Sequence, residues 1–239
     1  MAIKQIDDAK CIGCGVCVNS CAMDVIRLNQ FPIEKEEITP CRSACPAGVN
    51  MRGYIYLLTQ GKVKEAMNLI REALPLPAIT GHVCFHPCEK ECARKEVDEA
   101  VNINALERYV SDYWVHEKAE PALRIYLKKV AVIGSGPSGL AAAYDLVKMG
   151  YPVTVFEAQP WPGGMLRVGI PEYRLPENIL DAQIHYIEGM GVDLKTGITF
   201  GKDLTLRSLM EDQYEAILFA IGAQQSRKIE IEGAQLTNV

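Results

Sequence analysis

The cysteines of this 239-residue chain are the side chains best suited to chemistry. There are nine, and they fall into three groups. The groups are Cys11, Cys14, Cys17 and Cys21, then Cys41 and Cys45, and finally Cys84, Cys88 and Cys92. Two or three residues separate neighbours within each group, which is the spacing of metal ligands, and the odd count disfavours a framework of disulfides. Thiolates in such patterns bind iron–sulfur clusters or zinc.

The first group has the order C-x2-C-x2-C-x3-C, which is typical of bacterial ferredoxins. Three cysteines at tight spacing argue against a zinc site assembled from C-x2-C pairs, so we predict a [4Fe–4S] cluster. In two-cluster ferredoxins the fourth cysteine of such a run binds the other cluster. The fourth ligand is therefore Cys21 or a remote cysteine, of which Cys41 is the nearest.

A second chemical pattern is the G-x-G-x-x-G formed by Gly134, Gly136 and Gly139. The first glycine allows a sharp turn, the second allows the backbone to approach a pyrophosphate, and the third allows a helix to pack on a strand. Glu157 follows Gly139 at the distance where a carboxylate can accept hydrogen bonds from ribose hydroxyls. The pattern predicts dinucleotide binding, the alternative being a glycine-rich turn in another kind of βαβ unit.

The elements that must position these glycines are two strands and a helix. Val130–Ile133 and Val153–Phe156 are short apolar runs typical of buried strands, and residues 140–149 between them are helix formers stopped by Gly150. The first turn of such a helix directs free N–H groups toward a phosphate. Residues 192–200 and 215–222 are predicted to continue this domain as strands.

The middle of the chain is predicted to be helical. Residues 52–73 have a helical apolar period that ends before Pro75, and residues 102–114 form a second such segment. In the second segment we expect the inward face to carry Leu106, Tyr109, Val110 and Tyr113. His82 and His86 lie beside the third cysteine group, and we interpret them as packing or solvent residues rather than ligands.

Composition excludes several classes of protein. The formal net charge of −5 gives no reason to expect a nucleic-acid partner. No apolar run reaches the roughly 18 residues needed to span a bilayer, so we expect no membrane span. The N-terminus lacks the apolar core of a signal peptide, and we therefore expect a reducing cytoplasm.

The segments CRSACPAG, HVCFHPCEKECAR and VNINALERY, followed by the glycine pattern, resemble the small subunit of NADPH-dependent glutamate synthase. They are similar also to the N-terminal part of dihydropyrimidine dehydrogenase. The likeness continues through Gly163–Leu166 and residues 169–176, and it covers roughly residues 37–230. The resemblance implies a helical domain with [4Fe–4S] clusters followed by an FAD domain.

The resemblance also implies residue roles. Cys45, Cys84, Cys88 and Cys92 would share one cluster, while the glycine loop and Glu157 would hold the pyrophosphate and ribose of FAD. The residues expected to bind FAD are Gly134, Ser135, Gly136, Pro137, Ser138, Gly139, Glu157, Ala158, Gly163, Gly164, Met165, Leu166, Arg167 and Gly222.

The chain departs from the family near Cys41, where two further cysteines of the family are missing. We expect the ferredoxin-type run to supply the second cluster instead. Eight cysteines then bind two [4Fe–4S] clusters, and either Cys21 or Cys41 is left over. Glu107 matches the position of a further side-chain ligand in the family and is a weaker candidate.

The predicted fold class is α+β followed by α/β. Residues 1–36 form a small ferredoxin-like iron–sulfur segment, residues 37–125 a helical iron–sulfur domain, and residues 126–239 an incomplete Rossmann-type FAD domain. The family continues past the position of Val239 with an NADPH motif and a segment that completes the FAD domain. We therefore expect a partner chain to supply the NAD(P)H domain and the rest of the FAD domain, and the chain alone to be inactive.

The expected function is that of an iron–sulfur flavoprotein subunit, which transfers electrons between clusters and FAD in a multisubunit oxidoreductase. A hydrogenase or a formate dehydrogenase would suit it, with other redox subunits or a ferredoxin as partners. One alternative is a non-catalytic relay or scaffold subunit with an empty nucleotide fold. Another is a fragment of a full-length glutamate synthase small subunit.

The two predicted clusters can be tested by metal analysis. Anaerobically purified protein should contain about eight iron atoms and eight acid-labile sulfides per chain, since each cubane holds four of each. About four iron atoms would remove one cluster, and zinc in place of iron would contradict the interpretation of that site.

Overall fold

The computed structural model describes residues 39–223, 231–233 and 236. The predicted ferredoxin-type segment, with Cys11, Cys14, Cys17 and Cys21, lies outside the described residues. What is described falls into two compact units. The first runs to Ala119 and includes Ile170–Tyr186, and the second comprises Glu120–Gly169 and the described residues from Ile187 onward. The sequence did not indicate that residues 170–186 belong with the first unit, and the predicted domain boundaries at residues 36 and 125 stay predictions.

The first unit is built from short helices. They are α1 (Pro40–Ala44), α2 (Met51–Thr59), α3 (Val63–Ala73), α4 (Pro77–Val83), α5 (Pro87–Lys90), a 3₁₀ turn (Ala93–Glu96) and α6 (Ile103–Trp114). Helices α1, α4 and α5 each begin with proline, whose missing N–H would have no helical partner at that position. Asn50 and Asn102 cap α2 and α6 by accepting backbone N–H groups.

The single helical period predicted over residues 52–73 is wrong in one respect, because two helices occupy it. Gly61 separates them with φ of 69°, a left-handed conformation that ends α2. The N–H of Lys62 then bonds back to the carbonyl of Leu57 at 2.9 Å. The apolar residues keep their helical spacing on both sides of the break, so periodicity alone could not reveal it.

The core of the first unit contains buried side chains from α2, α3, α5 and α6. Its fully buried members include Tyr54, Ile70 and Val110. The predicted inward face of α6 is only partly correct. Val110 is buried, but Tyr109 and Tyr113 are 55% and 64% exposed, and the polar residues Glu107 and Ser111 are buried.

The second unit contains a parallel sheet of four strands among the described residues. The strands are β1 (Lys129–Ile133), β2 (Val153–Phe156), β3 (Asp193–Lys195) and β4 (Tyr214–Phe219), in the spatial order β3-β2-β1-β4. Its helices are α7 (Pro137–Lys148), α8 (Met165–Val168), the last residues of α9 (Glu177–Gly189) and α10 (Leu206–Glu211). The earlier residues of α9 belong to the first unit. This strand order is that of a Rossmann-type half sheet.

The predicted βαβ unit is confirmed with small shifts. Helix α7 starts at Pro137 rather than at residue 140, since proline suits the first helical turn. The strand predicted over 192–200 is shorter, and the one predicted over 215–222 ends at Phe219. In the part of the chain that is described, no helix has both the length and the apolar character needed to cross a bilayer.

The corrected face of α6 predicts unequal effects of truncation at neighbouring positions. Val110→Ala should lower the free energy of unfolding by on the order of 2 kcal/mol, because it leaves a cavity in the core. Tyr109→Ala, at an exposed site, should change it by less than about 0.5 kcal/mol. Thermal unfolding of the anaerobically purified variants measures both, and an equal loss at the two positions would contradict this orientation of the helix.

Candidate functional site

The glycine loop, residues Gly134–Gly139, lies where the strand order reverses. It connects β1 to α7, and β1 lies between β2 and β4 in the sheet. The N–H of Gly134 donates to the carbonyl of Phe156 at 2.8 Å, and the N–H of Ala220 donates to the carbonyl of Ile133 at 2.8 Å. In open α/β sheets, ligands bind at the carboxyl ends of the strands at such a reversal.

The three glycines of the loop serve three different needs. Gly134 has φ of 106°, and a Cβ atom there would collide with the carbonyl oxygen of Ala220. A Cβ atom on Gly139 would collide with the carbonyl oxygen of Gly134, which is how closely α7 approaches the loop. A Cβ atom on Gly136 would meet no atom within 4 Å. The middle glycine therefore borders open space at the N-terminus of α7, as the dinucleotide prediction requires.

Glu157 is buried and is bonded to the glycine loop. Its Oε2 accepts the N–H of Ser135 at 2.9 Å and the hydroxyl of Ser135 at 2.5 Å, while its Oε1 accepts the N–H of Gln159 at 2.9 Å. Each carboxylate oxygen has lone pairs for more than one donor. The predicted role of Glu157 toward ribose remains a prediction, and the structure adds that this side chain is fixed by its own protein neighbours.

The segment Gly163–Leu166 packs directly against the loop. The N–H of Gly163 donates to the hydroxyl of Ser135 at 3.0 Å, and a Cβ atom on Gly164 would lie 2.9 Å from the Cα of Gly136. Met165 is exposed and Leu166 is buried. The structure thus brings together the glycine loop, Glu157 and this segment, which the sequence places far apart.

The remaining residues predicted to bind FAD lie near these. Pro137 and Ser138 form the exposed first turn of α7, and Ala158 is exposed beside Glu157. Arg167 donates from Nε to the carbonyl of Pro162 at 2.8 Å. Gly222, exposed with φ of 67°, follows the end of β4.

Five of the cysteines predicted as ligands are described, and all five are free thiols. They are Cys41, Cys45, Cys84, Cys88 and Cys92. Helix α1 carries Cys41 and is capped by Cys45, and it packs against α5, which carries Cys88. Cys88 belongs to the core of the first unit, and Cys41 and Cys45 pack against that core. Cys84 caps α4 and is exposed, and Cys92 precedes the 3₁₀ turn.

Burial, with smaller contributions from the nearby Glu89, Cys45 and Cys84, raises the pKa of the Cys88 thiol to about 12. A thiol must lose its proton to bind a metal, so metal binding at Cys88 has to release this proton. The same pKa keeps the metal-free thiol protonated and unreactive at neutral pH.

Thiols gathered around one core are the soft donors that iron–sulfur clusters require, so the chemistry of the residues fits a cluster. Among the described residues, however, no three His, Cys, Asp or Glu side chains stand at metal-ligating positions together. The set of four cysteines, Cys45, Cys84, Cys88 and Cys92, therefore stays a prediction.

The two histidines of this region have different surroundings. His82 has a buried side chain, and its Nδ1 lies 2.8 Å from the carbonyl oxygen of Ala78, which agrees with a packing role. His86 has φ of 42°, unusual for a residue other than glycine, and its N–H donates to the sulfur of Cys84 at 3.2 Å. N–H donors to sulfur are one of the means by which proteins adjust the potential of an iron–sulfur cluster.

Glu107 is a buried acid on α6, which sequence patterning had not placed in the interior. Its Oε1 accepts the hydroxyl of Thr80 at 2.9 Å. Burial raises the pKa of Glu107 to about 7, which the Thr80 hydrogen bond partly offsets. Burial raises the pKa of Tyr54 above its usual value, and Glu107, Cys88, Cys41 and Cys45 act in the same direction, so Tyr54 lies near both the acid and those thiols.

Sequence reasoning missed two contributions. Ser135 was predicted from its place in the loop, but its hydrogen bonds to Glu157 and Gly163 could not be read from spacing. Tyr54 was given no role beyond the helical period predicted over residues 52–73, yet it is fully buried and its hydroxyl donates to the carbonyl of Ile103 at 3.1 Å. The available signal in the sequence was a tyrosine on the inward face of an apolar helix. Such a tyrosine indicates a buried hydrogen bond, because a buried hydroxyl needs a partner.

Two family models match the chain, one after the other. Residues 35–119 match the family model of dihydropyrimidine dehydrogenase domain II, 4Fe-4S cluster. Residues 132–195 match the NAD(P)-binding Rossmann-like domain.

Curated proteins with related sequences come from several bacteria. The chain is 43% identical over 199 residues to the NADPH-Fe(3+) oxidoreductase subunit beta of Geobacter sulfurreducens. This alignment covers 81% of this chain and 30% of that protein. The chain is 38% identical over 218 residues to the NADP(+)-dependent formate dehydrogenase subunit beta of Moorella thermoacetica, covering 81% and 31%. It is 39% identical over 191 residues to the NAD-dependent dihydropyrimidine dehydrogenase subunit PreT of Escherichia coli O157:H7, covering 77% and 45%. The chain thus spans less than half the length of these relatives.

The different surroundings of the loop glycines predict a contrast between two single-methyl substitutions. Gly139→Ala should destabilise the ligand-free protein by about 1–3 kcal/mol, because the new methyl group meets backbone atoms that cannot move aside easily. Gly136→Ala should leave the unfolding temperature within about 2 °C of the wild type, since the methyl group enters open space. Differential scanning calorimetry of the ligand-free variants measures both. A stable Gly139→Ala protein would contradict the close packing of α7 on the loop.

Proposed function

We propose that this chain is an electron-transfer subunit of an oxidoreductase. The proposal is supported by the matches to the dihydropyrimidine dehydrogenase domain II, 4Fe-4S cluster family and to the NAD(P)-binding Rossmann-like domain. The chain passes electrons between two [4Fe–4S] clusters, one in the helical region and one in the N-terminal cysteine run, and an FAD on the glycine loop. The observation that carries the proposal is the open space beside Gly136, at the reversal of a parallel sheet and at the N-terminus of a 12-residue helix.

The loop residues divide the work of holding the dinucleotide. Backbone N–H groups at the start of α7 receive the pyrophosphate, because the first groups of a helix have no partner within it. Gly136 lets the phosphates approach, and the carboxylate of Glu157 accepts the ribose hydroxyls. Gly164 borders the space on the side facing Gly136.

FAD is favoured over a nicotinamide dinucleotide by the chemistry of the neighbouring domain. Iron–sulfur clusters exchange single electrons and nicotinamides exchange hydrides, and a flavin is the cofactor that can exchange both. The family description of residues 132–195 names NAD(P), so a nicotinamide on the glycine loop is the second candidate.

The cysteines would hold the clusters. We assign Cys45, Cys84, Cys88 and Cys92 to one [4Fe–4S] cluster. The ligands of the second cluster would be Cys11, Cys14 and Cys17, together with either Cys21 or Cys41. The free thiols support a reducing compartment, and we place the chain in the cytoplasm. The relatives named as beta subunits support a place in a complex with other redox chains, one of which would supply the nicotinamide site.

A non-catalytic relay or scaffold is the alternative that flavin content tests. The protein, expressed with the chains that co-purify with it, should show the absorbance of a flavin in addition to that of its clusters. It should release FAD on denaturation. Flavin-free protein with intact clusters would favour the relay, and bound NAD(P) would favour the second candidate.

Substitution of the middle glycine tests whether the loop is the site. Gly136→Val places a branched side chain where the pyrophosphate must approach, so affinity for added FAD should fall tenfold or more, equivalent to at least about 1.4 kcal/mol. Iron content should not change, because the described cysteines lie in the other unit.

Asp145→Val is the matched control, since it puts the same side chain on an exposed position of the same helix. It should retain wild-type affinity for FAD. Full flavin content in Gly136→Val would show that the dinucleotide binds elsewhere.

A further inference from the structure

The hydroxyl of Ser135 joins three segments of the second unit at one buried point. Ser135 is fully buried. Its Oγ donates to Oε2 of Glu157 at 2.5 Å and accepts the N–H of Gly163 at 3.0 Å. The N–H of Ser135 donates to the same carboxylate oxygen at 2.9 Å. The glycine loop, the end of β2 and the Gly163–Gly164 segment therefore meet at a single side chain.

These bonds use the hydroxyl as both donor and acceptor. A serine hydroxyl has one proton to donate, and here the carboxylate receives it, which leaves the oxygen lone pairs for the amide of Gly163. Hydrogen bonds to an ionised group are shorter and stronger than neutral ones, so the hydroxyl proton has one strongly preferred direction. Because Ser135 is buried, removal of its oxygen leaves the Gly163 amide and the Glu157 carboxylate without this partner in the interior, where an unmade hydrogen bond is costly.

The position of Gly163 matters because its neighbour borders the open space of the site. Gly164 lies so close to Gly136 that an added Cβ atom would be 2.9 Å from the Cα of that glycine. Gly164 has φ of 52°, and the segment has no regular strand or helix until α8 begins at Met165. The hydrogen bond from Gly163 to Ser135 thus holds an irregular segment beside the loop.

We propose that Ser135 is a positioning residue for dinucleotide binding. Its hydroxyl orients the Glu157 carboxylate and holds Gly163–Gly164 against the glycine loop before the ligand arrives, so it acts through these two neighbours. The inference rests on the proposed function, since it assumes that a dinucleotide occupies the space beside Gly136. A site arranged in advance binds more tightly, because the ligand does not have to order it.

The test uses Ser135→Ala, which removes only the oxygen. In the variant, the buried Gly163 amide and the Glu157 carboxylate each lose a partner. Titration of the flavin-depleted protein with FAD should show a dissociation constant raised about tenfold, as expected for loss of a hydrogen bond to a charged group. Hydrogen–deuterium exchange of the ligand-free variant should be at least about tenfold faster in the peptide covering residues 160–168.

Ser111→Ala is the matched control. Ser111 is as deeply buried as Ser135, but its hydroxyl has no hydrogen-bond partner and it lies in the first unit. The control should leave both the FAD dissociation constant and the exchange of residues 160–168 at wild-type values. Ser135→Cys keeps a weaker donor and should give intermediate values, and it replaces Ser135→Ala if that variant does not fold.

A double-mutant cycle separates positioning from general destabilisation. If Ser135 acts through Glu157, the effect of Ser135→Ala on FAD affinity should shrink at least threefold in a Glu157→Gln background, since the carboxylate it orients is gone. An unchanged effect in that background overturns the proposal. Wild-type FAD affinity in Ser135→Ala also overturns it, as does a raised FAD dissociation constant without faster exchange in residues 160–168.

The two proposals fail in different ways. If the wild-type protein binds no FAD, the proposed function fails, and the exchange comparison in ligand-free protein still decides whether Ser135 holds Gly163. If the wild-type protein binds FAD and Ser135→Ala binds it equally well, only the role of Ser135 is overturned.

Discussion

The close approach of backbone to backbone at the glycine loop is the constraint on which the second unit depends. Gly134 turns the chain in a left-handed conformation against the carbonyl of Ala220, and Gly139 brings α7 down onto Gly134 itself. Only residues without a side chain permit both contacts. The place where α7 begins, the direction of its free N–H groups and the open space at Gly136 all follow from these two contacts.

The first unit is governed by a different constraint, which is the placing of thiols at the ends of short helices. Proline begins α1, α4 and α5, and cysteine caps α1 and α4 in extended backbone conformations. A residue at a helix end can turn its side chain away from the helix axis, whereas a mid-helix residue is confined to one face. Short helices therefore allow several cysteines to approach the same core from different directions.

Local features of the fold were predictable from the sequence, and features that depend on distant partners were not. The two strands and the glycine loop were correctly predicted because apolar runs and glycine spacing act within a few residues. The face of α6 was misjudged because Glu107 is buried with a partner, Thr80, on another helix. The break at Gly61 was missed because it does not disturb the apolar period. The site itself was predicted as a set of residues, but the bond from Ser135 to Gly163 joins positions that no spacing rule connects.

The exposure of Cys84 sets the order in which these thiols meet oxidants. Cys84 and the neighbouring Phe85 face solvent, whereas Cys88 is buried and holds its proton. Sulfenic acid forms first on the accessible thiol, and further oxidation to sulfinic acid cannot be reversed by thiols. Among the described thiols, oxidation in air would therefore begin at Cys84, and handling without oxygen protects the sulfur that is most open to solvent.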